Sequence, residues 1–213
     1  MKRFLLRLFS ATFGLFLFSL GVVLVIRANI GFSPWDVLHA GIAGTVGITI
    51  GAASILVGLL VLGIVVLCGE KLGFGTVLGM AAPGVFMDFI LWTPFVPTMD
   101  GIISGSVMLL AGLAFISIGT FFYLKPALSA GPRDYLMISL SRKTKIPIGL
   151  CRSFFEFLAT GIGWLLGGMV GLGTVMSVIG IGFFIQVTFK FFKFDAATVK
   201  HETFKETLAS LRG

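Results

Sequence analysis

The chain has 213 residues, of which 57% are hydrophobic and 12% charged, and it contains 29 glycines. Soluble domains carry about 25% charged residues, whereas here the mean hydropathy is +1.07 and the apolar residues form runs of about twenty. These values exclude a soluble enzyme, a DNA-binding module and a secreted disulfide scaffold. They indicate an integral membrane protein with little mass outside the bilayer.

Six stretches are long enough to cross a hydrocarbon layer of about 30 Å at 1.5 Å per residue. In chain order these are 8–26, 48–68, 75–95, 102–124, 147–167 and 174–191. Two shorter segments, 33–46 and 131–144, follow the first and the fourth span. The first span is too long for a signal-peptide core of about 7–15 residues, so we expect it to be retained. The polar end, 195–213, is expected to form a tail.

Basic residues predict the orientation. With the N-terminus inside, six crossings place fifteen of the sixteen Lys and Arg residues on the cytoplasmic side or at its boundary, and only Arg27 outside. Cytoplasmic loops carry the excess of basic residues, so both termini and the tail are predicted to be cytoplasmic. The formal charge of +7 is explained in this way, and nucleic acid is not an expected partner.

An eight-span arrangement, in which both short segments cross, is the alternative. Each segment would then cross with about 14 residues, or about 21 Å of helix, and the second carries Arg133, Asp134, Arg142 and Lys143. The six-span arrangement is therefore favoured, with the short segments as interrupted helices beside the spans.

The chain also matches itself at an offset of 98 residues without a gap. Ser33-Pro34-Trp35-Asp36 aligns with Gly131-Pro132-Arg133-Asp134, and Gly73-x-Gly75-Thr76 aligns with Gly171-x-Gly173-Thr174. The halves, 1–97 and 98–194, each hold three spans, so they enter the membrane from opposite sides. The predicted fold is an all-α membrane protein of two three-helix inverted-topology repeats, each with a short interrupted helix after its first span. Several transporter folds have this plan.

The aligned connectors have the composition of helix starts. Ser33 or Gly131 is a suitable N-cap, Pro34 or Pro132 fits the first helical position, and an aspartate stands at the third position. Two interpretations stay open. Asp36 and Asp134 either only cap their helices, or the two loops are pseudo-symmetric gates or binding elements. Trp35 opposite Arg133 breaks the symmetry and makes Arg133 a candidate contact for an anion.

Asp88 is the main candidate for substrate contact or ion coupling. It lies twelve residues into the third span, about 18 Å along the helix, where a carboxylate costs on the order of 2.5–3.5 kcal/mol. It is therefore predicted to face the bundle interior near its repeat mate, Gln186. The alternatives are a structural hydrogen bond between helices and a position shallower in the membrane than this count gives.

Three further polar residues are candidates. Arg152 and Glu156 are spaced i,i+4, which places them on one helical face, and they form either a self-neutralising pair or a gate. His39 can titrate near neutrality, but it has no acidic or Cys companions at metal-ligand spacing. No metal, cofactor or enzyme activity is predicted, since no nucleophile with a matching base is found.

Ser33-Pro34-Trp35-Asp36-Val37-Leu38-His39, Gly131-Pro132-Arg133-Asp134, Arg152-x-x-x-Glu156 and Gly161-x-Gly163-Trp164-Leu165-Leu166-Gly167-Gly168 resemble the YczE/YyaS/YitT family of bacterial membrane proteins, most closely its YczE branch. The resemblance covers nearly all of 8–192. It implies a bacterial inner-membrane protein and gives no substrate.

The leading hypothesis is a small transporter or exporter of an unidentified small molecule, working by rocking of the two halves around Asp88, Gln186 and the two loops. The alternatives are a membrane scaffold or regulator without transport, and a substrate-binding subunit of a larger transporter. The lipid bilayer is the expected environment. The sequence does not specify an oligomeric state, although six-span chains of this size, 22.7 kDa, often form a homodimer.

Overall fold

The structure is a computed structural model that describes residues 2–69, 73–128 and 131–195. Within these ranges the chain forms eight helices. They are α1 (Lys2–Arg27), α2 (Pro34–Val46), α3 (Ile50–Leu67), α4 (Phe74–Trp92), α5 (Ile102–Leu124), α6 (Pro132–Thr144), α7 (Ile148–Leu165) and α8 (Leu172–Phe191). The six predicted spans correspond to the six long helices. The short segments are the 13-residue helices α2 and α6, and all of the predicted tail except Asp195 lies outside the described residues.

Five helices have the length and hydropathy of a membrane span, namely α1, α3, α4, α5 and α8. Large apolar side chains stand exposed along them, as Leu60, Phe89 and Ile179 do, which suits a surface solvated by lipid tails. α7 also has 18 residues, but Arg152 and Glu156 lower its hydropathy. The protein is therefore an all-helical membrane protein over its described residues, and the sixth crossing, by α7, stays a prediction.

α1 and α5 pack closely because glycines lie at their crossing. A Cβ atom at Gly21 would lie 2.6 Å from the carbonyl oxygen of Gly112, and one at Gly14 would lie 2.7 Å from that of Gly119. Small residues permit such close contact between membrane helices, whose association depends on packing. Since the contacts pair an early residue of one helix with a late residue of the other, α1 and α5 run antiparallel.

The other helices pack in matching pairs. The contact of α1 with α4 in the first half is matched by that of α5 with α8 in the second. In the same way, the contact of α2 with α7 matches that of α6 with α3, and the contact of α2 with α3 matches that of α6 with α7. One match fails, because α3 packs extensively on α4 whereas the described parts of α7 and α8 have at most a marginal contact. This difference opens one side of the bundle.

Left-handed backbone positions recur at the offset of the sequence match. Asn29 (φ 56°) follows α1 and its mate Ala127 (φ 56°) follows α5. Gly47 (φ 76°) and Lys145 (φ 59°) follow α2 and α6, and Gly69 (φ 84°) and Gly167 (φ 90°) follow α3 and α7. Two of the pairs include residues other than glycine, for which positive φ is uncommon. Equivalent helices are thus ended by turns of the same hand.

Candidate functional site

A cavity of about 280 Å³ lies between the helices, and all eight contribute to its wall. This volume is near the lower end of the range for small-molecule sites, about 300–1,000 Å³. Apolar side chains such as Phe18, Met87 and Leu113 form much of the wall, and polar side chains reach it from α2, α6 and α7. An apolar chamber with a few polar groups is the usual composition of a ligand site.

The cavity is lined by aligned positions of the two sequence halves. Thirteen pairs, each 98 residues apart, supply 26 of its 29 lining residues. The pairs are Leu15/Leu113, Phe18/Ile116, Val22/Thr120, Ser33/Gly131, Pro34/Pro132, Trp35/Arg133, His39/Met137, Ser54/Arg152, Gly58/Glu156, Gly79/Ser177, Met80/Val178, Pro83/Ile181 and Met87/Ile185. The starts of α2 and α6, which carry the predicted loop motifs, therefore meet at one cavity.

Four polar residues in close contact cross between these two helix starts. An Arg133 guanidinium nitrogen (Nη2) lies 3.0 Å from His39 Nε2. On the other side of the ring, His39 Nδ1 lies 3.3 Å from Asp36 Oδ1, and the Ser33 hydroxyl donates to Asp36 Oδ2. His39 is 1% exposed and Asp36 is 5% exposed, so these two residues are enclosed by protein.

The direction of the hydrogen bond between Arg133 and His39 fixes the histidine tautomer. A guanidinium group has only N–H donors, so His39 Nε2 must accept from Arg133. The ring proton then lies on Nδ1, the nitrogen nearer to Asp36, an assignment that follows from the hydrogen bond to Arg133. His39 is accordingly neutral in this arrangement, and it connects the cation of α6 to the carboxylate of α2.

Arg133 also stacks on Trp35, its repeat mate. The guanidinium carbon (Cζ) lies 4.3 Å from the centroid of the indole ring, a distance at which the ring quadrupole attracts the cation. Contact between two aligned residues occurs only where the aligned segments face each other. Trp35 and Arg133 thus lie at the boundary between the two halves of the cavity.

The starts of α2 and α6 are as predicted, with one difference in their caps. Ser33 and Gly131 are the N-caps, and Pro34 and Pro132 hold the first helical positions. The Ser33 side chain makes no hydrogen bond to the helix backbone, because its hydroxyl is used by Asp36. Asp134 lies in the first turn of α6, and its side chain is outside the described part of the structure.

The predicted i,i+4 pair on α7 is confirmed. Arg152 Nε donates to Glu156 Oε1 at 2.8 Å, with side-chain exposures of 47% and 17%. Both residues line the cavity. Their aligned positions on α3, Ser54 and Gly58, line it as well, so within this pair of equivalent helices only α7 brings charged side chains to the wall.

Asp88 and Gln186 are not part of this cavity, which corrects the prediction that they share a site with the loops. Asp88 lies four residues from the end of α4, where it accepts hydrogen bonds from the Thr49 hydroxyl and from the Gly51 N–H at 2.8 Å. It therefore stabilises the positive N-terminus of α3. Gln186 is exposed on α8. Counting residues along one span could not show that Asp88 lies near the end of α4, beside the start of a neighbouring helix.

With this geometry in view, comparison with known proteins decides the family. Residues 5–190 match the model of a family described as a family of unknown function, DUF6198. The chain belongs to this family. The resemblance noted in the sequence is therefore confirmed, and the matched region includes every helix that lines the cavity.

Relatives in two bacteria support the assignment of this chain to the DUF6198 family. An uncharacterized protein of Haemophilus influenzae is 33% identical over 174 residues, or 82% of this chain and 79% of the relative. The uncharacterized membrane protein YczE of Bacillus subtilis is 31% identical over 81% of this chain and 80% of its own length. The uncharacterized protein YyaS of the same species is 26% identical over 82% and 88%. No solved structure matches the chain.

Several hydroxyl-bearing residues of the cavity wall, Ser54 among them, were not predicted from the sequence. Thr120, Tyr123 and Ser177 line the cavity, and Ser177 is 2% exposed. They lie in apolar spans where Ser and Thr are common, so composition alone gives no signal for them. The repeat could have found Thr120 and Ser177, since their mates Val22 and Gly79 also face the cavity.

Proposed function

We propose that this protein is a small transporter of the bacterial inner membrane, with six crossings and both termini cytoplasmic. It binds a small organic or amphipathic molecule in the cavity between two inverted halves, which rock around that site. The lipid bilayer is its solvent, and no metal or cofactor takes part.

The observation that carries this proposal is the lining of the cavity by thirteen aligned pairs. In transporters built from inverted repeats, the substrate site lies at the repeat interface and is formed by discontinuous helices. Here the starts of the two short helices, α2 and α6, meet at the cavity through Trp35 and Arg133. A site shared by both halves is accessible from either side as they move.

The antiparallel packing of α1 and α5 supports the inversion. Gly14 and Gly21 align with Gly112 and Gly119, and each contact between these helices maps onto the other when the halves are exchanged. An exchange that reverses the direction of the helices is the symmetry of an inverted repeat, with its axis in the membrane plane.

Arg133 is the residue proposed to recognise the substrate. Trp35 holds the plane of its guanidinium group and His39 fixes one edge, so the group is pre-organised in the cavity wall. Asp88 lies outside the cavity, so Glu156 becomes the candidate for proton coupling. It is a carboxylate of the wall whose present partner is Arg152.

Flux into proteoliposomes tests the proposal. The purified protein is reconstituted and offered a panel of radiolabelled metabolites and amphipathic compounds, with and without a proton gradient. We expect at least one compound to be transported, and Arg133→Met to reduce its flux about tenfold or more, as expected for loss of one hydrogen bond to a charged group. The matched control is Arg142→Met, on the same helix but outside the cavity.

Two other results would each replace the transporter proposal. Saturable binding that Arg133→Met weakens, without flux of any compound, would indicate a substrate-binding subunit of a larger transporter. Absence of both binding and flux would indicate a scaffold or regulator.

A further inference from the structure

The equivalent helix pairs α3–α4 and α7–α8 are packed differently. A Cβ atom at Gly51 of α3 would lie 2.0 Å from the carbonyl oxygen of Gly84 on α4, so these backbones touch. The aligned residues are Gly149 of α7 and Gly182 of α8. Apart from the adjacent residues and the backbone of the same helix, no heavy atom in the described part of the structure lies within 4 Å of a Cβ atom at either position.

The burial of side chains also differs between α3 and α7. On the face of α3 that meets α4, Gly51, Ser54 and Gly58 are buried, whereas Gly149 is exposed and the Arg152 side chain is 47% exposed. The other face of α7 is packed, since Cys151 and Ala159 are 3% and 4% exposed. α7 is thus docked on the bundle and lacks only the neighbour that its counterpart α3 has.

One carboxylate holds the closed pair. Asp88 of α4 accepts hydrogen bonds from Thr49 and Gly51 at the start of α3, and Thr49 caps that helix through the Ala52 N–H at 3.1 Å. At the aligned positions stand Gln186, which is exposed, and the N-cap Pro147, which makes no side-chain hydrogen bond. The clamp therefore exists in one half only.

We propose that these helix pairs are two gates of one transport cycle, closed between α3 and α4 and open between α7 and α8 in this structure. When α7 closes on α8, Gly149 approaches Gly182 as Gly51 approaches Gly84 now, and the Asp88 clamp opens. The proposal rests on the proposed function. In the proposed orientation, the α3–α4 gate is external and the α7–α8 gate is cytoplasmic, so the cavity is open to the cytoplasm.

Glycine at all four positions fits this exchange. Gly51 and Gly84 must be glycine because any side chain would meet the opposite backbone. Gly149 and Gly182 have no such contact here, and glycine inside a helix is less favourable than alanine. Closure of α7 on α8 would give both residues the role that Gly51 and Gly84 have.

Disulfide trapping tests the exchange. The variant Gly149→Cys with Gly182→Cys, in a background with Cys68→Ser and Cys151→Ala, is oxidised in native membranes with copper phenanthroline. We expect a disulfide, and we expect Asp88→Asn to raise its rate of formation by about two- to thirty-fold, the range for loss of one carboxylate at a helix N-terminus. Gln186→Asp instead places a carboxylate where it can accept a hydrogen bond from the backbone N–H of residue 149, so it should also raise the rate of disulfide formation.

The control pair is Gly161→Cys with Gly182→Cys. Gly161 also lies on α7 and has open space around it, but it is twelve residues away, so it should not reach Gly182. A folded Gly149/Gly182 pair that forms no disulfide, or no faster than the control, would overturn the two-gate proposal. So would a rate unchanged by both Asp88→Asn and Gln186→Asp.

The gate and the transporter proposals fail separately. Trapping that behaves as expected in a protein that transports none of the compounds would leave the gate movement standing and remove the transport function. Flux without trapping would remove the gates alone. Where both succeed, the disulfide should stop flux and a reductant should restore it.

Discussion

The two halves of the cavity wall differ in charge and in packing, and both differences fall on the equivalent helices α3 and α7. α3 presents Ser54 and Gly58 to the cavity and is covered by α4. α7 presents Arg152 and Glu156 at the aligned positions and is left uncovered by α8. An ion pair is costly to enclose in an apolar contact, whereas small residues favour one. In the state that the structure shows, the helix with the ion pair is thus the one that its neighbour leaves uncovered.

Glycine substitution should give the largest contrast between the halves. Gly51→Leu forces a side chain into the Gly84 backbone, so we expect it to cost about 1–3 kcal/mol or more, with much less folded protein. Its repeat mate, Gly149→Leu, enters open space and should stay within about 0.5 kcal/mol of the parent. Thermal unfolding in detergent measures both, and equal losses of stability would contradict the packing difference.

His39→Met should give the next largest effect, since it copies Met137, the aligned residue of the second half. It removes the acceptor for Arg133 and the polar ring nitrogen next to Asp36, and loss of one buried hydrogen-bond partner costs about 1–3 kcal/mol. We expect lower thermal stability and weaker ligand binding. His39→Gln, which keeps an acceptor and a donor, should recover part of both. An unchanged His39→Met variant would show that the network does not hold the site together.

Asp88→Asn should lower stability by about 0.3–2 kcal/mol, because the N-terminus of α3 loses its carboxylate. Equilibrium binding at the cavity should change little, since Asp88 does not line it. Gln186→Ala, the change at the aligned residue, should be neutral within about 0.5 kcal/mol. Isothermal titration with a transported compound, together with unfolding curves, separates the two effects. Loss of binding in Asp88→Asn without loss of stability would return Asp88 to the substrate site.

Arg152→Gln combined with Glu156→Gln should have the smallest effect on stability. The pair is half-exposed on the arginine side, and such pairs contribute about 0–1 kcal/mol. Removing the charges from α7 makes its wall resemble that of α3, so the Gly149/Gly182 disulfide should form faster than in the parent. A slower rate would show that the ion pair favours closure of α7 on α8.

The local signals in the sequence predicted much of this fold. Hydrophobic runs located the six long helices, Pro34 and Pro132 marked the starts of α2 and α6, and the i,i+4 spacing paired Arg152 with Glu156. Each of these depends on residues within a few turns of one helix. The self-match at 98 residues also placed the loop motifs at equivalent positions, and both are found at the cavity.

Contacts between distant helices could not be predicted in the same way. Asp88 is satisfied by the start of α3, and nothing in α4 encodes where that start will lie. Likewise, the stacking of Arg133 on Trp35 depends on how α6 meets α2. The alignment gave both residues the same position, but only packing shows that they touch. The separation of α7 from α8 is a property of one state, which a single sequence does not specify.

The central claim is that the two halves are inverted in the membrane. The most direct test is to measure on which side of the membrane α2 and α6 end. The aligned residues Val46 and Thr144 end these helices and are exposed. Each is replaced by cysteine in a background with Cys68→Ser and Cys151→Ala, and intact cells are treated with a membrane-impermeant maleimide. The inverted arrangement predicts labelling of Val46→Cys in intact cells and of Thr144→Cys only after permeabilisation. Labelling of both from the same side would contradict it.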